Sequence, residues 1–190
     1  LTKHLMALSN VFLGLKGERL VGELLNWLMK DGYDVFHDFP IEPDGKSGNI
    51  DHVVVASSGV YCVETKCRRK RKGLPGRKEY EVEFDGKKLH FPNYKDYSSI
   101  DQTRRNSSHL AQWLSSAVGE KVPVKGILTF PGWLVTTRKM AKNLRVLNPK
   151  NIKKAIASDK ETVLDDKLTK QIVHQFRSIF ARSLNDGKMI

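Results

Sequence analysis

Cysteine is nearly missing from this chain of 190 residues: it occurs twice, as Cys62 and Cys67. The odd separation, in a strand-like stretch, points the two thiols to opposite faces and makes a disulfide between them implausible. Neither belongs to a CxxC pair, so structural zinc is set aside. A reducing compartment fits, and a cytoplasmic location is expected. Long apolar runs are missing as well. The longest are short segments such as Val53 to Ala56, far below the ~18 to 20 consecutive apolar residues that span a bilayer, so no transmembrane segment is expected in this chain. Leu1 to Leu15 is interrupted by Lys3, His4, Ser9 and Asn10 and does not read as a signal peptide. Acidic residues are the third shortage: 21 Asp and Glu face 33 Lys and Arg, a net charge of +12. That balance implies an acidic partner. Nucleic acid ranks ahead of an anionic membrane, because no basic amphipathic helix with a large apolar face stands out.

What is present suffices for a core. At 39% hydrophobic the chain resembles others of its length, which remove roughly 70% of their unfolded surface from water on folding. Gly17 to Lys30 carries Val21, Leu24, Leu25 and Leu28 at helical spacing, and Asp31-Gly32 should end that helix. On its wheel Glu18 lies almost in line with Leu25, which is an unusual place for a carboxylate. Tyr33 to Phe39 reads as an edge strand and Glu42 to Gly48 as a polar turn. Ile50 to Ala56 and Val60 to Thr65 form a strand pair, and Glu79 to Phe84 with Lys88 to Phe91 a second hairpin around an Asp85-Gly86 turn. Ile100 to Val118 is helical with Leu110, Trp113, Leu114 and Ala117 as its stripe. Val124 to Phe130, Trp133 to Val135 and Arg145 to Leu147 are further strands, and Asp166 to Leu184 is a closing helix. This order predicts an α/β fold: a central mixed β-sheet flanked by helices.

The charge is concentrated. Lys66 to Lys78 reads KCRRKRKGLPGRK, with eight basic residues in thirteen and glycine and proline to break regular structure. Such a loop can grip phosphates by counterion release, or it can be a solvated surface run.

The first hairpin carries ionisable residues where core is expected: Asp51 opens one strand, and Glu64 and Lys66 close the other. Glu64 and Lys66 share a face by parity. The face of Asp51 depends on register, since opposed residues of an antiparallel pair have a constant index sum. A sum of 117 pairs Asp51 with Lys66 and a sum of 115 pairs it with Glu64, whereas 116 sends Asp51 to the other face. Two adjacent carboxylates repel, and burying them uncompensated is unfavourable. A divalent cation such as Mg²⁺ or Mn²⁺ resolves that, and it can polarise a phosphodiester. The same spacing also fits a plain surface ion pair at a strand end. His52 points away from Asp51 and reads as a sheet-packing histidine.

The ordered set Gly17-Glu18, Asn49-Ile50-Asp51-His52-Val53-Val54-Val55, Ser58-Gly59-Val60-Tyr61-Cys62-Val63-Glu64-Thr65-Lys66 and Gln102 resembles the nuclease-related domain, NERD, of the PD-(D/E)XK nuclease superfamily. The resemblance covers about residues 14 to 135, with a helical extension over about 150 to 190, in what would be one nuclease-like domain over 1 to 190. It implies a restriction-endonuclease-like core in which Asp51 and Glu64 hold the metal. Glu64 and Lys66 would be the acid and lysine of the ExK motif, Glu18 the acid of the preceding helix, and Gln102 a helix glutamine near the phosphate. Ile50 stands where the superfamily has proline, which supplies no ligand. Cys67 and the basic run follow the lysine directly.

The expectation is therefore a Mg²⁺- or Mn²⁺-dependent hydrolase of DNA phosphodiesters. Arg68, Arg69, Lys70, Arg71, Lys72, Arg77, Lys78, Arg104 and Arg105 would hold the backbone with little sequence specificity and steep salt dependence. A non-catalytic nucleic-acid-binding module with a nuclease-like fold is the alternative, and a peripheral protein with its basic loop on anionic lipid is a third reading.

Overall fold

The computed structural model describes residues 2–41, 48–70, 78–160 and 164–185, with side chains from Met6 to Ala181 within them. The polar turn expected from Glu42 lies outside these residues up to position 47, and so do Arg71, Lys72 and Arg77 of the basic run.

Helix α1 (Thr2–Asn26) runs into a short 3₁₀ turn ended by Gly32, whose φ of 85° is the left-handed conformation that glycine adopts without strain. The helix starts well before Gly17. The helical spacing of Leu8, Val11, Phe12 and Leu15 is present in the sequence, but that face is exposed and turned away from the sheet. Strands β1 (Asp34–Ile41), β2 (Gly48–Ala56) and β3 (Gly59–Thr65) form an antiparallel meander, with β1 at the edge. Every residue of β3 is buried, as expected of a strand covered on both faces.

After β3 the chain builds a second, four-stranded sheet from β4 (Glu81–Phe84), β5 (Leu89–His90), β6 (Lys95–Asp96) and later β8 (Leu134–Thr137), in the order β6-β5-β4-β8. The β4–β5 hairpin and the β8 strand were expected, but two-residue β6 carries no period and the separation into a second sheet was not anticipated. The β4–β5 turn sits one residue later than Asp85-Gly86. Asp85 N–H donates to the Lys88 carbonyl, and the Asp85 carboxylate accepts the Lys87 and Lys88 N–H groups, which leaves Gly86-Lys87 as the turn. Helix α2 (Ser98–Val118) then carries the chain across to β7 (Val124–Thr129), parallel to β3, followed by β9 (Leu144–Leu147). The main sheet is five-stranded in the order β1-β2-β3-β7-β9, mixed, and flanked by helices. Short α3 (Ile152–Ala157) and closing α4 (Asp166–Asn185) complete it.

Alternation along β2 and β3 divides the core. Val53, Val55, Val60 and Cys62 meet Leu110 and Leu114 of α2 and Ile172 and Phe176 of α4 on one face. Val54, Tyr61 and Val63 meet Val21 and Leu25 of α1 and Ile156 of α3 on the other. Ala117, expected on the α2 stripe, is exposed, and the adjoining Val118 packs against the core instead.

Two glycines bring the helices close. At Gly126 of β7 an added Cβ would sit 2.9 Å from Ser107 Oγ and 3.0 Å from Thr103 Cγ2, so α2 lies tightly on the sheet. At Gly17 an added Cβ would overlap the Cys67 sulfur, so α1 passes directly over the chain leaving β3. Both contacts lie beside the carboxylates.

Candidate active site

The β2–β3 ladder runs from Ala56↔Gly59 to His52↔Val63, a constant index sum of 115. One step further sets Asp51 opposite Glu64. The turn is tight: Ala56 and Gly59 still pair, and only Ser57-Ser58 remain between them. Beyond Val63 the Asp51 carboxylate takes over as acceptor: its Oδ2 receives the Thr65 backbone N–H at 2.6 Å.

Glu64 is fully buried, at 0% exposure, and Asp51 nearly so at 9%. Helix α2 supplies the donors. Asn106 Nδ2 donates to Glu64 Oε1 at 2.6 Å, and Gln102 Nε2, one turn earlier, reaches Oε2 at 3.4 Å. Lys66 Nζ stands 3.6 Å from the same Oε2 and is half-buried. Three donors on one carboxylate do not cancel its burial. Desolvation, then repulsion from Asp51, pushes the Glu64 carboxyl up to about 7, against the pull of Lys66 and Asn106. Asp51 is raised too, first by burial and then by Asp38, while the Thr65 N–H and Lys66 hold it down. The two carboxyls titrate as a pair.

Glu18 comes from the opposite face of the sheet, on α1. Burial raises its carboxyl above the ordinary value, and Asp51 and Asp38 add to the rise while Lys66 opposes it. Its backbone neighbour Gly17 is what lets α1 approach this closely. The structure thus brings Glu18, Asp51, Glu64, Lys66 and Gln102 to the end of β3.

Two contributors escaped sequence reasoning. Asn106 lies in line with Leu110 on the α2 stripe, where the sequence shows only a polar gap, and its burial in the structure is what marks it. Asp38 of β1 sits between the paired residues His37↔His52 and Phe39↔Ile50, which places it in the same cross-strand row as Asp51. Its φ of 51° is uncommon outside glycine. Asn49 Nδ2 holds its carboxylate at 3.1 Å.

His52 faces away from Asp51, and its Nδ1 lies 2.8 Å from His37 Nδ1, so one ring donates to the other. Burial and the neighbouring ring push His52 down to about 3, and burial lowers His37. Cys62 and Cys67 are free, with both thiols raised by burial.

The basic residues separate into two kinds. Arg68 is committed to the fold: its guanidinium donates to Asp96 Oδ2 and Ser99 Oγ at 3.2 Å, and its carbonyl accepts the Trp133 indole N–H. Arg69 donates to Ser9 of α1. Lys70, Arg104 and Arg105 are exposed, and Lys78, also exposed, stands 3.9 Å from Glu81.

The donor chemistry fits a hard divalent cation. Two buried carboxylates with raised pKa values form a concentration of negative charge that Lys66 alone does not neutralise, and Asp51 Oδ1 has no hydrogen-bond partner among the described residues. Among those residues no group of three or more His, Cys, Asp and Glu converges as a ready ligand set. Two protein carboxylates suit Mg²⁺, which keeps several of its waters.

A family model described as NERD, nuclease-related domain, matches residues 13–131, more than half of the chain. An uncharacterized protein of Bacillus anthracis is 41% identical over 54 residues, which make up 28% of this chain. Those residues span 26% of that protein's length. No solved structure matches the chain.

Proposed function

Since the chain belongs to the nuclease-related domain family, we propose that it is a divalent-metal-dependent nuclease that hydrolyses DNA phosphodiester bonds with little sequence specificity. The observation that carries this reading is the buried pair Asp51 and Glu64, both raised in pKa, with Lys66 at 3.6 Å from Glu64. Carboxyls displaced by burial with a specific charge partner beside them are candidates for a functional site.

Asp51 and Glu64 would hold Mg²⁺ or Mn²⁺, which when bound supplies Lewis-acid polarisation of a phosphoryl oxygen. Asn106 keeps Glu64 in one rotamer, with Oε1 occupied and Oε2 turned toward Lys66. Lys66 orients the attacking water and places positive charge where the phosphorane-like transition state gathers negative charge. Gln102, half-buried beside Oε2, is positioned to donate its amide to a phosphate oxygen. Glu18, raised in pKa on the α1 side, is poised to accept a proton from that water. Exposed Lys70, Lys78, Arg104 and Arg105, with Arg69, would hold the backbone by charge, which reads no base. Free Cys62 and Cys67 suit a reducing, cytoplasmic setting.

The test is nicking of supercoiled plasmid, with a labelled RNA in parallel, in Mg²⁺ or Mn²⁺ and in EDTA. Metal-dependent cutting of DNA supports the reading. Salt-sensitive binding without cutting would move the protein to the binding-module alternative.

A further inference from the structure

The outer half of α1 carries an apolar stripe that no described residue covers. Leu8, Val11, Phe12 and Leu15 follow the spacing i, i+3, i+4, i+7 and are 56%, 59%, 68% and 57% exposed. On the wheel they fill an arc of roughly 100°, the width of a burying face. The core-facing side of the same helix is a different one, marked by Gly17, Val21 and Leu25. Continued along the helix, the line of the stripe meets Arg19, Gly22 and Asn26, so the apolar face stops where α1 begins to pack on the sheet. The helix expected from periodicity begins only at Gly17, so this stripe lies outside it.

We propose that this half of α1 lies on an anionic lipid surface. Charge selects that occupant. Residues 1–17 contain Lys3, His4 and Lys16 and no Asp or Glu. Arg69 donates to Ser9 on the flank of the helix, which brings Arg69 and the adjoining Lys70, both exposed, alongside the stripe. An apolar face flanked by cations on a chain of net charge +12 is the composition of an interfacial helix. Its apolar side chains enter the acyl boundary while Lys16, Arg69 and Lys70 reach the headgroups. A second copy of the chain fits less well. Two turns of helix supply far less than the about 800 Å² per partner of a stable dimer, and pairing would bring like charges together. The proposal does not depend on the nuclease reading: Arg69 and Lys70 are shared with the residues that would hold DNA, but no residue of the apolar stripe is, and none belongs to the carboxylate site.

The test is co-sedimentation of the full chain, free of nucleic acid, with vesicles of phosphatidylcholine and with vesicles of phosphatidylcholine and phosphatidylglycerol in equal parts. The comparison protein carries Val11→Ser and Phe12→Ser, both at exposed positions, with circular dichroism to verify the fold. The expected result is partition onto the anionic vesicles alone, reduced roughly tenfold or more by the double substitution, with plasmid nicking unchanged. Lack of partition would overturn the proposal, and so would equal partition by the variant. A wild-type dimer in solution that the variant breaks would also overturn it, by assigning the stripe to a second copy.

Discussion

Asn106 Nδ2 donates to Glu64 Oε1 at 2.6 Å, across 42 positions of sequence, and both side chains are buried. The contact joins α2 to the end of β3 and lowers the pKa of a carboxyl that everything else around it, except Lys66, raises. Removing the amide with Asn106→Ala leaves a buried carboxylate oxygen without its donor. The expected loss is about 1–3 kcal/mol of stability at neutral pH. The acid limb of the pH–rate profile should move to higher pH. Urea unfolding and plasmid nicking across pH measure the two effects; a profile that stays in place would show that Asn106 only packs.

Both site carboxyls hold their protons more tightly in the folded protein than in the unfolded chain. Folding therefore takes up protons between the ordinary glutamate value of 4.5 and about 7, so this part of the stability is full below the window and is lost as pH rises through it. His52, pushed down from 6.5 to about 3, adds a slope of opposite sign below 6.5. The quantity to read is the difference between wild type and Glu64→Gln. In EDTA, Glu64→Gln should gain on wild type from pH 5 to pH 8, by on the order of 1–3 kcal/mol.

Added divalent cation should reverse that trend. A ligand that binds only the folded state stabilises it by about 2.7 kcal/mol at a hundred times its Kd, and deprotonated carboxylates bind better. Mg²⁺ or Mn²⁺ should raise the Tm of wild type more at pH 8 than at pH 5, and leave the Tm of Asp51→Asn unchanged at both. Scanning calorimetry in EDTA and in excess metal decides it.

Gly126 links fold to site. A Cβ there would meet Ser107 Oγ at 2.9 Å and Thr103 Cγ2 at 3.0 Å, and Ser107 and Thr103 alternate with Gln102 and Asn106 on α2. Gly126→Ala should lose about 1–3 kcal/mol by overpacking. It should also lower nicking more than binding, because α2 would withdraw its donors from Glu64. Denaturation and a filter-binding titration run beside the nicking assay separate the two.

The hairpin was legible because β-branched strands with three charged residues break their own pattern, and because register leaves few arrangements. Its register of 115 was one of the alternatives that parity allowed. Glu18 was legible from the wheel: it shares an edge with Leu25, which is buried, while Glu23 is exposed. Asn106 was not legible, because an asparagine between Thr103 and Leu110 reads as a polar gap until the strand beneath it is known. Asp38 needed the β1–β2 register, and β6, two residues long, carries no period. The basic run looked like one clamp from composition, yet Arg68 is held by Asp96 and Ser99.

The central claim is that the Asp51–Glu64 pair performs metal-dependent phosphodiester hydrolysis with Lys66 beside it. Nicking of supercoiled plasmid in Mn²⁺ by wild type, Glu64→Gln and Lys66→Met, prepared identically and matched for DNA binding, tests it most directly. The account predicts activity lost by roughly a hundredfold or more in both variants with binding retained. Nicking that persists in both, or that EDTA fails to stop in wild type, would contradict it.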